Sequence, residues 1–397
     1  MENLAIFGGK PVRKTKIHYG RQYIDQDDVN AVVETLTSDL ITCGPRVVEL
    51  EKKICDITGA KYAVAVCNGT AALHLAALAA GFGEGDEVIV SPITFAASAN
   101  CVLYCGAKPV FADIKADTYN IDPACIEKLI NENTKGIVAV DFTGQAVELD
   151  EIRKICKEHN LTLIEDAAHA MGTRYKGMGI GSISDMTCFS FHPVKTVTAG
   201  EGGAITTNDE QLYRKLLRLR THGITRNQDE MVHPTDDMWY NEQVDLGYNY
   251  RLTDFQAALL ISQLNKLPMF SKRRSEIVEI YDKAFAEVPE IIVQKEIPES
   301  DTTRHLYIIR LDLEKLTCDR KQFFDALYAE NTCPQVHYLP VYWHSYYEKL
   351  GYEKGLCPEA EKLYSEIMSI PLYYGLTEED VQDVITAVKK VVAYYRK

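Results

Sequence analysis

No stretch of the 397-residue chain is apolar for the length of a membrane span, and Met1-Glu2-Asn3-Leu4 lacks the charged-then-apolar order of a secretory signal. A cytoplasmic protein is expected. Basic residues are in deficit: 43 Lys and Arg against 57 Asp and Glu leave a formal charge of −14. That balance argues against nucleic acid or an anionic membrane as the main partner, and a small anionic substrate would need a local basic pocket. The 11 cysteines contain no CxxC pair, and His159, His169, His192 and His222 have no clustered ligand spacing. Neither a structural zinc site nor another metal site is expected. Cysteines such as Cys67, Cys101 and Cys188 sit in apolar runs instead, which suits reduced, buried thiols. Internal repeats and low-complexity segments are absent. Gly177-Met178-Gly179-Ile180-Gly181 lacks the strand-to-helix spacing of a dinucleotide loop and reads as the turn of a connecting hairpin.

What is present is a chain too long for one core of ordinary size. We divide it into an N-terminal arm (1–24), a large domain (25–265) and a small C-terminal α+β domain (266–397). Helical patterns over about 25–38 and 47–58 lead into alternating short apolar strands and helices. Strands are expected at 62–67, 87–90, 109–111, 136–140 and 161–164, with helices from Thr70, near 95–104, from Pro123 and over 148–159. Runs apolar on both faces and joined by helices imply a mostly parallel central sheet covered on each side, an α/β fold. Farther on, Thr253 caps a helix, 306–311 and 335–337 read as strands, 320–329 as a helix, and Thr377 caps a terminal helix to about 395.

Ligands of such sheets sit at the carboxyl ends of the strands. After Cys67 comes Asn68-Gly69-Thr70, a turn opening a helix whose free amides and dipole suit a phosphate. After Ile164 comes Glu165-Asp166-Ala167-Ala168-His169, and after Phe189 come Ser190 and then Lys195. Singly these are an N-cap, a turn carboxylate, a packed histidine and a solvated lysine. Together they form a phosphate cradle, an anion and an amine at one edge. A carboxylate keeps a ring nitrogen protonated, and a sheltered lysine bonds an aldehyde and moves protons between carbons. Pyridoxal 5'-phosphate is the cofactor that needs all of them.

The segments Asn68-Gly69-Thr70-Ala71-Ala72-Leu73, Glu165-Asp166-Ala167-Ala168-His169-Ala170, Ser190-Phe191-His192-Pro193-Val194-Lys195, Gly200-Glu201-Gly202-Gly203 and Gly247-Tyr248-Asn249-Tyr250-Arg251-Leu252 resemble, in order and over nearly the whole chain, the DegT/DnrJ/StrS family. These are fold-type-I, pyridoxal-phosphate-dependent aminotransferases of nucleotide sugars. Within it, 92–100, 192–196 and 335–338 are most similar to the aminotransferases of the pseudaminic acid pathway. The resemblance implies a homodimer with shared active sites and transfer of an amino group from L-glutamate to C4 of a UDP-4-keto-6-deoxy-N-acetylhexosamine. It implies that Lys195 carries the cofactor and moves the proton, that Asp166 pairs with the ring nitrogen, and that Phe95 and His169 flank the ring. Gly69, Thr70 and Ser190 would hold the phosphate with Asn249 of the neighbouring subunit, while Tyr19, Arg251, His337 and Tyr338 would bind sugar or diphosphate. Three alternatives stay open: another 4-keto or 3-keto sugar acceptor, a sugar dehydratase, and a cofactor-binding regulatory protein without turnover.

Overall fold

The computed structural model describes residues 3–397; Met1 and Glu2 of the expected arm and of the segment tested for a signal lie outside them. Its centre is a seven-stranded sheet of β1 (Tyr62–Val66), β2 (Glu87–Val90), β3 (Lys108–Phe111), β4 (Thr134–Val140), β5 (Thr162–Asp166), β6 (Met186–Ser190) and β7 (Gly203–Thr207), hydrogen-bonded in the order β1-β7-β6-β5-β4-β2-β3. The pairings from β6 through β3 are parallel, and β7 runs antiparallel to both β1 and β6. Side chains alternate between faces. Val64, Val66, Val138, Ile164 and Cys188 point to one face, and Ala63, Ala65, Ala139, Leu163 and Phe189 to the other. Both sets are buried, which is why these strands carry no polar alternation in sequence. Each large aliphatic side chain so buried contributes about 1.5–3 kcal/mol.

Of the helices α1 (Gln26–Leu36), α2 (Pro45–Thr58), α3 (Gly69–Ala80), α4 (Ala97–Tyr104), α5 (Leu149–His159), α6 (Glu210–Arg220) and α7 (Asp254–Phe285), α1 packs on α7 and the others cover the sheet. On one face α3 lies against the strands through Ala71, Ala72, Leu75 and Ala76, with Val102 of α4 and Leu216 of α6 beside it. On the other, Leu50 and Ile54 of α2, Ile152 of α5 and Leu260 and Leu264 of α7 pack together. The 32-residue α7 opens with a capping box between Thr253 and Gln256, and the expected boundary at 265 falls inside it.

A three-stranded antiparallel sheet of β8 (Ile291–Val293), β9 (Tyr307–Leu311) and β10 (Ile367–Ile370) follows. With α8 (Arg320–Ala329) and α9 (Glu378–Tyr395) it encloses a separate core. The N-terminal arm joins this unit: Leu4 and Ile17 enter that core. Glu330 accepts from the amides of Ala5 and Val12 at 2.9 Å each, and Ile17–His18 pairs in parallel with Thr332–Cys333.

Several expected elements differ. Residues 335–337 form no strand; Gln335 makes a single bridge to Ser369. Pro334 and Pro340 bracket this segment, and a proline lacks the amide a ladder needs. The helix from Pro123 ends at Glu127. The strand expected over 161–164 runs on to Asp166, and β7 is a strand where the sequence reading offers only the segment Gly200-Glu201-Gly202-Gly203. The hairpin expected at the glycine-rich stretch is present, with residues 178–179 paired to 174–175 and Gly177 in its turn.

Candidate active site

A cavity of about 760 Å³ opens at the carboxyl ends of β1, β5 and β6, bounded on the far side by 335–339. Its floor begins at the turn after β1. The Asn68 side chain accepts from the Ala71 amide at 2.8 Å and caps α3, which leaves the first-turn amides of Gly69 and Thr70 without intrahelical acceptors. Both residues line the cavity, so an anion there would meet free donors and the positive end of the helix dipole. Crowding decides the glycines. A Cβ on Gly69 would lie 2.8 Å from the Cβ of Ser190, and one on Gly203 would lie 2.4 Å from the Asn68 carbonyl oxygen. Gly203 thus lets β7 pass beside the cradle, a function the glycine cluster did not disclose in sequence.

Asp166 ends β5 and is buried. Its Oδ2 accepts from the Ser98 hydroxyl at 2.5 Å and its Oδ1 from the Ala168 amide at 3.1 Å; Ser98 also pairs with Thr94 at 2.6 Å. Burial pushes the carboxyl up, against the opposing pull of those two donors and of the Lys195 charge. Lys195 stands in a turn whose amide donates to the His192 carbonyl at 2.9 Å. Part of its side chain stays accessible through the cavity, but protein surrounds the amine. Loss of water lowers it to about 8, although Asp166 attracts its charge.

The remaining wall is aromatic. His169 Nε2 is 3.2 Å from the Tyr338 hydroxyl, and its Nδ1 is buried with no partner. Burial, then the Lys195 charge, holds this ring well below the ordinary histidine range. His337, lowered to about 4 mainly by burial, pairs through Nδ1 with the Ser369 hydroxyl at 2.7 Å and stacks edge-on to Tyr19. Phe95 is 63% exposed although it lines the cavity, so an aromatic face is free for a ligand.

Of the expected residues, Tyr19, Gly69, Thr70, Phe95, Asp166, His169, Ser190, Lys195, His337 and Tyr338 line this one cavity. Asn249 and Arg251 do not. Asn249 is exposed and bridges Thr221, and Arg251 is half-buried. Sequence reasoning missed Ser98, which holds Asp166, and His305, whose ring lies 4.4 Å from that of His169. Ser98 lies in the quoted 92–100 segment, whereas nothing near His305 in sequence marks it. A cradle of free amides, a donor-held carboxyl, a neutralisable amine and an unpartnered imidazole nitrogen fit a phosphorylated pyridine aldehyde.

Residues 22–389 match the DegT/DnrJ/EryC1/StrS aminotransferase family. Among curated proteins, the UDP-4-amino-4,6-dideoxy-N-acetyl-beta-L-altrosamine transaminase of Campylobacter jejuni is 40% identical over 93% of this chain and 95% of its own. Helicobacter pylori PseC, described as an aminotransferase involved in the biosynthesis of pseudoaminic acid, superposes with a TM-score of 0.89 at 34% identity, covering 96% of this chain and 100% of its own. The putative sugar aminotransferase Spr1654 of Streptococcus pneumoniae, in its PMP form, reaches 0.89 at 32% identity over 95% of this chain and 99% of its own, and it has also been solved in a PLP form. The architecture is that of fold-type-I aminotransferases.

Proposed function

The chain belongs to the DegT/DnrJ/EryC1/StrS aminotransferase family, and from that premise we propose that it uses pyridoxal 5'-phosphate to move an amino group from L-glutamate to C4 of a UDP-4-keto-6-deoxy-N-acetylhexosamine, in the biosynthesis of pseudaminic acid. The observation that carries the chemistry is the convergence of Lys195, Asp166 and the amino end of α3 on one cavity. The similarity to the Campylobacter transaminase supports the sugar.

When bound, the cofactor supplies an electron-withdrawing ring beside the carbon that loses its proton. The chain's own groups do the rest. The amides of Gly69 and Thr70 and the Ser190 hydroxyl hold the phosphate, and Asp166 keeps a proton on the ring nitrogen. Ser98 and the Ala168 amide keep that carboxylate in place. Lys195, its amine lowered to about 8, would hold the cofactor's aldehyde end and carry the transferred proton at Nζ. Phe95 and His169 enclose the ring, and Tyr19, His337 and Tyr338 meet the sugar. We infer the same division of domains as above, with the cofactor on the large one.

A second copy of the chain would complete the site. The exposed side chains of Met238, Trp239 and Leu246, in the stretch that precedes Asn249 in sequence, support a dimer in which Asn249 and Arg251 serve the neighbouring cavity. Eleven unpaired cysteines support a reducing, cytosolic setting. The test is incubation with L-glutamate and a panel of 4-keto sugar nucleotides. Formation of 2-oxoglutarate together with a 4-amino sugar, its stereochemistry read by NMR, is the expected outcome. Loss of water from the sugar without 2-oxoglutarate would refute it.

A further inference from the structure

Ala139 and Val140 of β4 are register partners of Glu165 and Asp166. Because side chains alternate, Asp166 lies on the face of Ile164 and α3, while Glu165 lies with Leu163 and Ala139 on the opposite face. Asp141, two residues beyond Ala139, continues the pairing, its amide donating to the Asp166 carbonyl at 3.1 Å, so its carboxyl falls on this second face beside that of Glu165. Both are fully buried. Asp141 Oδ1 accepts from the Val147 amide at 3.0 Å, and Glu165 Oε2 accepts from the hydroxyls of Ser184 and Thr187 at 2.9 Å each. One oxygen is left over on each carboxyl: Asp141 Oδ2 and Glu165 Oε1 have no donor. The groups facing the pair from β6, from the turn before it and from the turn after β4 are hydroxyls or amides, and the charged neighbour is Asp166, another acid. Among the described residues no cation bridges to either carboxyl.

Two ionised carboxylates in contact, buried and without a cation, cost far more than one acid donating to one carboxylate. We propose that Asp141 and Glu165 share one proton between Oδ2 and Oε1, so that the face of the sheet behind Asp166 carries one negative charge instead of two. Neither residue lines the cavity, so both are positioning residues that act through Asp166, whose ionisation a second charge would oppose. That consequence rests on the reading of Asp166 as the partner of the ring nitrogen; the shared proton does not.

Burial holds this pair's proton affinity above the unfolded carboxyl value of about 4. The contribution to stability is therefore complete below that value and falls away as pH rises toward the folded value, because the folded state then binds one proton more. Urea unfolding of the purified full-length protein, with all variants in the same cofactor state, reads this directly. As pH rises above the unfolded carboxyl value of about 4, the wild-type folding constant should fall relative to Glu165→Gln or Asp141→Asn, by up to about tenfold per pH unit while the folded pair keeps its proton, since each amide replaces the shared proton with a fixed N–H donor. Parallel pH dependences would overturn the proposal. A second measurement needs no folded Glu165 variant. The Asp166→Asn protein should retain a protonated-carboxyl infrared band at pH 7, and absence of that band overturns the shared proton. The pH midpoint of the bound-cofactor absorbance tests the positioning role. Glu165→Gln, which keeps one charge, should leave it in place, and the double amide variant should lower it by about one unit. An unmoved midpoint in the double variant overturns that role. Absence of any cofactor absorbance would refute the reading of Asp166 while the unfolding comparison stands.

Discussion

The two walls of the cavity are built differently. The sheet wall sets Gly69, Asp166, Ser190 and Lys195 within a few residues of strand ends, held by a continuous backbone ladder. The opposite wall is tied by contacts between distant segments. The Leu372 amide donates to the Tyr19 carbonyl at 3.0 Å, and Ser369 meets His337. Arg274 of α7, buried and with no carboxylate partner among the described residues, donates through Nη1 to the carbonyls of Arg304, His305 and Leu372. A rigid edge suits atoms that must stay aligned during proton transfer. Segments held by single side-chain contacts suit recognition, where a different acceptor calls for a different wall and the same chemistry.

This contrast predicts large effects on the sheet wall and small ones opposite. Lys195→Ala should lower transamination by about 10⁴-fold and abolish the visible absorbance of the bound cofactor; a colourless variant that still turned over would break the contrast at its strongest point. Asp166→Asn should cost roughly 100-fold in kcat, the scale of one charge-assisted hydrogen bond, with fold and cofactor content checked by circular dichroism and absorbance.

The amine of Lys195, lowered to about 8, sets a pH dependence of similar size. Below that value it is protonated and cannot attack, so cofactor uptake by cofactor-free protein should rise about tenfold per pH unit up to about pH 8 and level off above it. A profile still climbing at pH 10 would mean an ordinary, solvated lysine. Ser98→Ala removes one of two donors to Asp166, and about a tenfold loss is expected, with a raised pH midpoint for the Asp166-linked absorbance. On the opposite wall, Tyr338→Phe loses the contact to His169. It should raise KM for the sugar nucleotide roughly 3- to 10-fold with little change in the glutamate half-reaction. An equal loss in both halves would move Tyr338 to the chemical side of the comparison.

The sheet wall was legible because its parts announce themselves locally. An apolar run, then Asn68-Gly69-Thr70, or Glu165-Asp166 at the end of another run, ties residue type to strand end over a handful of positions. The apolar runs named their strands for the same reason, since burial on both faces leaves no polar alternation. The exception on that wall is β7, where Gly203 is demanded by the Asn68 carbonyl more than 130 residues away in sequence. Ser98 escaped in the same way, its partner being 68 residues distant.

By itself, then, the sequence determined the strand-and-helix alternation, the family and the chemical identity of the cofactor edge, because short-range pattern and a few side chains at strand ends suffice for those. Tertiary structure alone decided that 335–337 is a bridged segment and not a strand, that His305 backs His169, and that Asp141 and Glu165 meet on the face behind Asp166. Each of these depends on two stretches of chain brought together across the fold, and no local pattern of residues encodes which ones will meet.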